Sequence, residues 1–181
     1  MTLVLTGHRV ILREAGPGDA AYLYGLRTDP ALAAHLSPPP PSVAAQRDWL
    51  AGYAARAAAG AERYFVIERR DDGRPCGAVR IYSIDRAAGT FTWGSWILDA
   101  SKPPMAALDS ALRVYRHAFD DLGLTCAVFD VRADNARTLA FHDRFGARRT
   151  GTDGRDVFFV LDAAAARPLL EQHEQALAAP R

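Results

Sequence analysis

The run from Ala106 to Gly123 constrains the chain most. Leu108, Ala111, Leu112, Tyr115, Phe119 and Leu122 recur at i, i+3, i+4, i+7 spacing, and Gly123 sits at the C-terminal stop of the helix they predict. Thr90 to Leu98 before it and Thr125 to Val131 after it are rich in β-branched and aromatic residues and read as strands. A helix linking two strands in this way is a crossover, which lays the strands parallel within a sheet that helices cover.

The remaining segments surround that unit. Arg9 to Glu14 reads as a short strand, and Gly16-Pro17-Gly18-Asp19 as a turn with Asp19 placed to cap a helix that ends near Pro30. Pro38 to Pro41 is a stiff break, after which Ser42 caps a second helix carrying Trp49, Leu50, Tyr53 and Ala54 at helical spacing. From residue 64 the period shortens. Tyr64–Glu68, Gly77–Tyr82 and Thr90–Leu98 form an antiparallel meander with a turn at Asp71-Asp72-Gly73-Arg74. Ala136–Phe145 is a helix stopped by Gly146, and Val157–Leu161 a last strand before a polar helix or frayed tail. The Arg69-Arg70 and Arg148-Arg149 pairs read as solvated charges. The order predicts an α/β (α+β) fold with a mixed central sheet of about six to seven strands flanked by helices. It forms one domain over 1–181, with a core at about 8–161 and a helical tail at about 163–181.

Bulk properties exclude several classes. A formal net charge of +1 argues against nucleic acid or an anionic membrane as partner, so any anion site must be local. Cys76 and Cys126 lie in apolar strand contexts with no metal-ligand spacing, which fits a reducing compartment and no metal. The N-terminus lacks the basic-then-apolar pattern of a signal peptide, and no stretch approaches the roughly 18 apolar residues of a membrane span. The expectation is a cytoplasmic protein.

Four segments in this order resemble the GNAT (Gcn5-related) N-acetyltransferases, and within them the ribosomal-protein N-terminal acetyltransferase branch. They are RVILREAGPGDAAYLYGLRTDP, CGAVRIYSID with TWGSWIL, SALRVYRHAFDDLGL, and FDVRADNARTLAFHDRFGA. The resemblance covers about residues 8 to 161 and implies acetyl-CoA as co-substrate, a primary amine as acceptor and a sheet splayed between strands 90–98 and 125–131. In such a gap, backbone N–H groups from Ser95 to Leu98, among them those of Trp96, Ile97 and Leu98, would contact acetyl and pantetheine.

The resemblance also implies roles for individual residues. His142, seven residues after Asn135, stands where the family usually has a tyrosine that protonates the departing thiolate. A histidine can donate likewise, and the alternative is a helix histidine that packs or hydrogen-bonds the sulfur. Asp130, five residues before Asn135, stands where the N-terminal acetyltransferases place a glutamate base. Being one methylene shorter it would act through a water, or else be a paired structural carboxylate. Thr92 occupies a position where other members carry a catalytic Glu. Asn135 is read as a pantetheine contact, a helix cap or both, and Arg137 as a phosphate contact or a solvated arginine. Tyr82 and Trp93 are candidate acceptor-pocket aromatics, with a core role as the alternative.

The loop before the long helix, SKPPMAALDS, departs from the family's glycine-rich phosphate loop. Pro103 and Pro104 delete two donors, although proline also presets a helix start. Met105, Ala106, Ala107 and Leu108 keep N–H groups for a pyrophosphate, Lys102 adds a charge, and Ser101 is a candidate cap. The acceptor is open among a nucleotide-linked amino sugar, a protein N-terminus, a small polyamine or amino acid, and an antibiotic. The competing class is a catalytically weak relative that binds acyl-CoA or a partner protein, and the assembly is a monomer or homodimer.

Overall fold

The computed structural model describes residues 3–179. Its strands are β1 (Val4–Thr6), β2 (Val10–Glu14), β3 (Arg63–Arg69), β4 (Pro75–Asp85), β5 (Thr90–Leu98), β6 (Cys126–Arg132), β7 (Arg148–Thr152) and β8 (Asp156–Asp162). They form one sheet in the order β1-β2-β3-β4-β5-β6-β8-β7, in which β5 and β6 are parallel and the other neighbours antiparallel. The helices are α1 (Ala20–Thr28), the short α2 (Pro30–Ala33), α3 (Val43–Ala58), α4 (Ala106–Arg116), α5 (Ala136–Phe145) and α6 (Ala163–Ala178), with α4 running on through a wider turn to Asp121.

The sheet has eight strands, not six to seven. β1 has three residues, and in β7, Arg-Arg-Thr-Gly-Thr, every residue is exposed. Neither carries the apolar alternation that marks a half-buried strand, so both exist through pairing with a neighbour. Arg148 and Arg149 therefore belong to an edge strand, where Arg149 pairs with Asp143 at 2.7 Å. Asp19 does not cap α1. Its carboxylate accepts from the Gly16 amide at 2.8 Å and pairs with Arg13 at 2.9 Å. The C-terminal segment is not a frayed tail, because Ala166, Leu170 and Leu177 of α6 are buried in the main core. Residues 180 and 181 lie outside the described residues.

Two cores sandwich the sheet. One face packs Leu12, Phe65, Ile67, Ile81 and Phe91 against α4, α5 and α6. The other packs Tyr64, Val66, Ala78 and Ile97 against Leu23 of α1 and Leu50 and Tyr53 of α3. The near-continuous apolar run of β3 follows, since both of its faces are covered. A buried carboxylate ties α4 to the sheet: Asp109 Oδ2 accepts from the amides of Arg9 at 2.6 Å and Val10 at 3.1 Å.

The crossover β5–α4–β6 delivers the functional feature. β5 and β6 pair only at Thr90–Cys126 and Phe91–Ala127. Beyond that point β6 stays paired with β8 along its length, from Cys126–Asp162 to Arg132–Asp156, while β5 stays with β4. A bulge reinforces the parting: the β4–β5 register moves from Ala78–Ile97 to Arg80–Gly94, leaving one extra residue on β5, and Ser95 takes a left-handed φ of 47°. The gap-facing edge of β5 past Phe91 thus has no strand partner, and its backbone polar groups are available to a ligand.

Candidate active site

The gap between β5 and β6 holds a cavity of about 390 Å³ lined by Tyr82, Ser95, Asp130, Asn135, His142 and Arg155, among others. A second cavity of about 350 Å³ adjoins it and is lined by Trp96, Ile97, Leu98, Lys102, Ala107, Asn135, Arg137 and Phe141. Both share His35, Leu36, Trp96, Asn135 and Thr138, so they are two chambers of one cleft. Seven of the residues expected at a cofactor thus meet in the second chamber.

The expected catalytic pair approaches the gap from opposite faces of β6. Side chains alternate along a strand, so Phe129 points to the α5 side and Asp130 to the other. His142 stands on α5 behind Phe129, with ring centroids 4.6 Å apart, and is 3% exposed. Trp93, Phe141 and Phe159 complete its surroundings at 5.3–5.6 Å. Burial in this aromatic nest lowers its pKa to about 4, so the ring is neutral at neutral pH, and its Nδ1 is buried with no hydrogen-bond partner. Asp130 is exposed at the gap, and partial burial together with the nearby Asp156 charge raises its pKa above the usual carboxylate value. Tyr82 shares that side: its hydroxyl is pushed up by burial and by the Asp130 charge.

Trp93 combines both of its expected roles. It alternates with Thr92, the residue opposite Tyr82, so it faces the α4 side, where it is buried and its indole N–H donates to the Tyr115 hydroxyl at 3.1 Å. It packs the histidine side of the gap, in the core role the sequence allowed, while lining the same cavity as Tyr82. Asn135 caps α5, its Oδ1 accepting from the Thr138 amide at 3.2 Å, while lining both chambers. Arg137 is exposed at the mouth of the second.

The proline loop resolves into two halves. Ser101 does not cap α4; its amide and hydroxyl both donate to Asp99 at 2.8 and 2.6 Å. Met105 takes the N-cap position with a left-handed φ of 64°, and the Ala106 amide donates to the Pro103 carbonyl at 3.2 Å. Ala106 is also buried, so its N–H closes the turn. Among the described residues no backbone carbonyl outside the helix accepts from the amides of Met105, Ala107 or Leu108. With Lys102 beside them, these donors at a helix start fit a pyrophosphate.

Two features of the site had no signal in the sequence. His35 and Leu36, after α2, close over both chambers, and His35 reaches Asp134 at 3.2 Å. Arg155 enters the gap from the β7–β8 turn. Among the described residues there is no group of three or more His, Cys, Asp or Glu side chains that would hold a metal, and no helix long and apolar enough to cross a membrane.

A mixed sheet that splits between two parallel strands, with free amides along one strand and at the start of the crossover helix, offers backbone donors to a developing oxyanion and to a phosphate. Comparison with known proteins supplies the class. The sequence model of the acetyltransferase (GNAT) domain matches residues 9–148. The structure of apo FdhC, described as a nucleotide-linked sugar GNAT, superposes with a TM-score of 0.90 at 30% identity, over 98% of this chain and 100% of that one. Mycobacterium smegmatis RimJ in complex with CoA-disulfide gives 0.77 at 21% identity, over 97% and 93%. A GCN5-related N-acetyltransferase from Brucella melitensis gives 0.78 at 21%, over 97% and 86%. No curated protein matches the sequence. The chain belongs to the GNAT acetyltransferase family and is an acetyl-CoA-dependent N-acetyltransferase.

Proposed function

We propose that the acceptor is the primary amine of a nucleotide-linked amino sugar, which attacks the acetyl group directly with Asp130 as base and His142 as acid. The observation that carries the acceptor is the likeness to a nucleotide-linked sugar GNAT, at 30% identity over 98% of this chain. The RimJ likeness, at 21%, speaks for the fold alone, so a protein N-terminus has the weaker support.

Acetyl-CoA supplies the activated acyl carbon and a thiolate leaving group. Met105, Ala107, Leu108 and Lys102 hold its pyrophosphate, with Arg137 at the mouth. The unpaired β5 edge around Ser95 to Leu98 offers amides to the thioester oxygen as charge builds there. Asp130, its pKa raised by partial burial and the Asp156 charge, takes the first proton from the ammonium form of the acceptor, directly or through a water. His142 enters neutral and donates an N–H to the sulfur. As negative charge gathers on the sulfur, the ring's pKa rises, and the second amine proton passes through His142 to the thiolate. The C–N bond forms, the C–S bond breaks, and one proton leaves to solvent through Asp130.

The test is thiol release over a panel of amines: nucleotide-linked amino sugars, N-terminal peptides, polyamines and free amino acids. Release with nucleotide-linked amino sugars alone is expected. Release with peptides alone would overturn the acceptor. Tight acetyl-CoA binding with no release for any amine would favour an acyl-CoA-binding relative without turnover.

A further inference from the structure

A third cavity, about 240 Å³, opens on the Tyr82 side of the sheet and is roofed by Pro38 and Pro40. It shares Ser37 with the reaction gap. Its walls are Arg27 from α1, Gln46 and Trp49 from α3, and Tyr64 and Arg80 from β3 and β4. Arg80 sits opposite Tyr64 in the sheet and stacks 5.2 Å from the Tyr82 ring, so one continuous face runs from the gap into this cavity.

The polar groups here are incompletely satisfied. Arg27 is 9% exposed, and its guanidinium donates to the carbonyl and hydroxyl of Ser37, at 3.0 and 3.1 Å, beside the Tyr64 hydroxyl. Among the described residues no carboxylate pairs with it. A buried guanidinium facing only neutral partners is costly. Tyr64 and Gln46 are each 2% exposed, yet the Tyr64 hydroxyl and Gln46 Oε1 have no hydrogen-bond partner. The Arg27 and Arg80 charges, together with the Arg27 guanidinium lying close to the hydroxyl, oppose the rise that burial imposes on Tyr64. Arg80 is already paired with Glu62, which leaves one uncompensated positive charge beside two unused polar groups. An amide side chain presents either its oxygen or its NH₂, so Gln46 adds a donor to the set.

We infer that this cavity binds the diphosphate of the acceptor, with Arg27 supplying the charge, Tyr64 and Gln46 the hydrogen bonds, and Ser37 the junction with the gap. The inference rests on a nucleotide-linked acceptor and locates the part of it that lies away from the reacting amine. A diphosphate pairs the unmatched guanidinium and accepts from the Tyr64 hydroxyl and the Gln46 amide N–H, and the amine end then extends past Tyr82 toward Asp130.

The experiment needs no turnover. Uridine diphosphate, inorganic pyrophosphate and succinate are titrated into protein saturated with CoA, so that the cofactor's own pyrophosphate site is filled. Wild type, Arg27→Gln and Tyr64→Phe are compared, with CoA affinity measured separately. Both diphosphates are expected to bind, Arg27→Gln to weaken them at least tenfold, and Tyr64→Phe to weaken them about threefold, with CoA affinity unchanged. Tyr64→Phe removes one hydroxyl and no charge, and it keeps the test decisive if Arg27→Gln does not fold. Equal binding to wild type and Tyr64→Phe, no diphosphate binding, or a preference for succinate would each overturn the inference. Failure of CoA to bind would instead count against the proposed reaction; the diphosphate comparison on the free protein would then still decide the inference.

Discussion

Phe129 and Asp130 are neighbours in one strand, but they serve environments of opposite character. On the Phe129 side the gap is walled by Trp93, Phe141, Phe159 and His142, and the one titratable group there is held neutral by burial. On the Asp130 side Tyr82, Arg80, Arg155 and Asp156 leave the carboxylate partly hydrated, with its pKa raised. The contrast teaches how one strand serves a two-substrate reaction. A dry face suits a thioester and its sulfur, and a wet face suits a charged amine that must lose protons.

The comparison breaks first at His142. His142→Ala is expected to lower kcat by about 10²-fold or more, the scale of a lost proton-transfer group, with little change in the amine KM. An unchanged rate and pH profile would take His142 out of the mechanism. On the wet side Asp130→Asn should lower kcat/KM by roughly 30-fold, as the loss of a proton-accepting group would. A pH–rate profile of both variants tests whether the two faces carry different protons.

The dry face also has a stability signature. The His142 pKa is near 4 in the folded chain against 6.5 unfolded, so its contribution is fully present above pH 6.5 and is lost as pH falls toward 4. The loss is bounded at roughly 3 kcal/mol, and His142→Phe should flatten the stability curve across that window in denaturant titrations. Asp109→Ala, which strands the Arg9 and Val10 amides, should cost about 2 kcal/mol at neutral pH, read as a lower midpoint with an unchanged slope. The smallest effects belong to the phosphate loop. Lys102→Ala should weaken CoA by about fivefold, and Pro104→Ala should change it less than threefold, since Met105, Ala107 and Leu108 already present donors.

Much of the second half of the fold was legible because its signals are local. Helix 136–145 ends at Gly146 as the sequence predicts, and the Leu108–Leu122 stripe lies against the sheet. The edge strands β1 and β7 were not legible, since a strand held only by backbone pairing carries no side-chain period. Which face Trp93 takes was not legible, because a strand residue's identity does not say so when both faces are apolar. The proline pair changed meaning as well. The turn it starts consumes the Ala106 amide and leaves three neighbouring amides free, a division set by the left-handed Met105.

The sequence by itself determined most of the order of elements, the crossover and the family, because periodicity, caps and motif spacing are properties of short stretches. Only the tertiary structure decided that His142 and Asp130 meet one gap from opposite faces, that burial neutralises the first and raises the second, and that Arg27, Gln46, Tyr64 and Arg80 enclose one cavity. Those facts depend on solvent exclusion and on contacts between residues tens of positions apart, which no local pattern records.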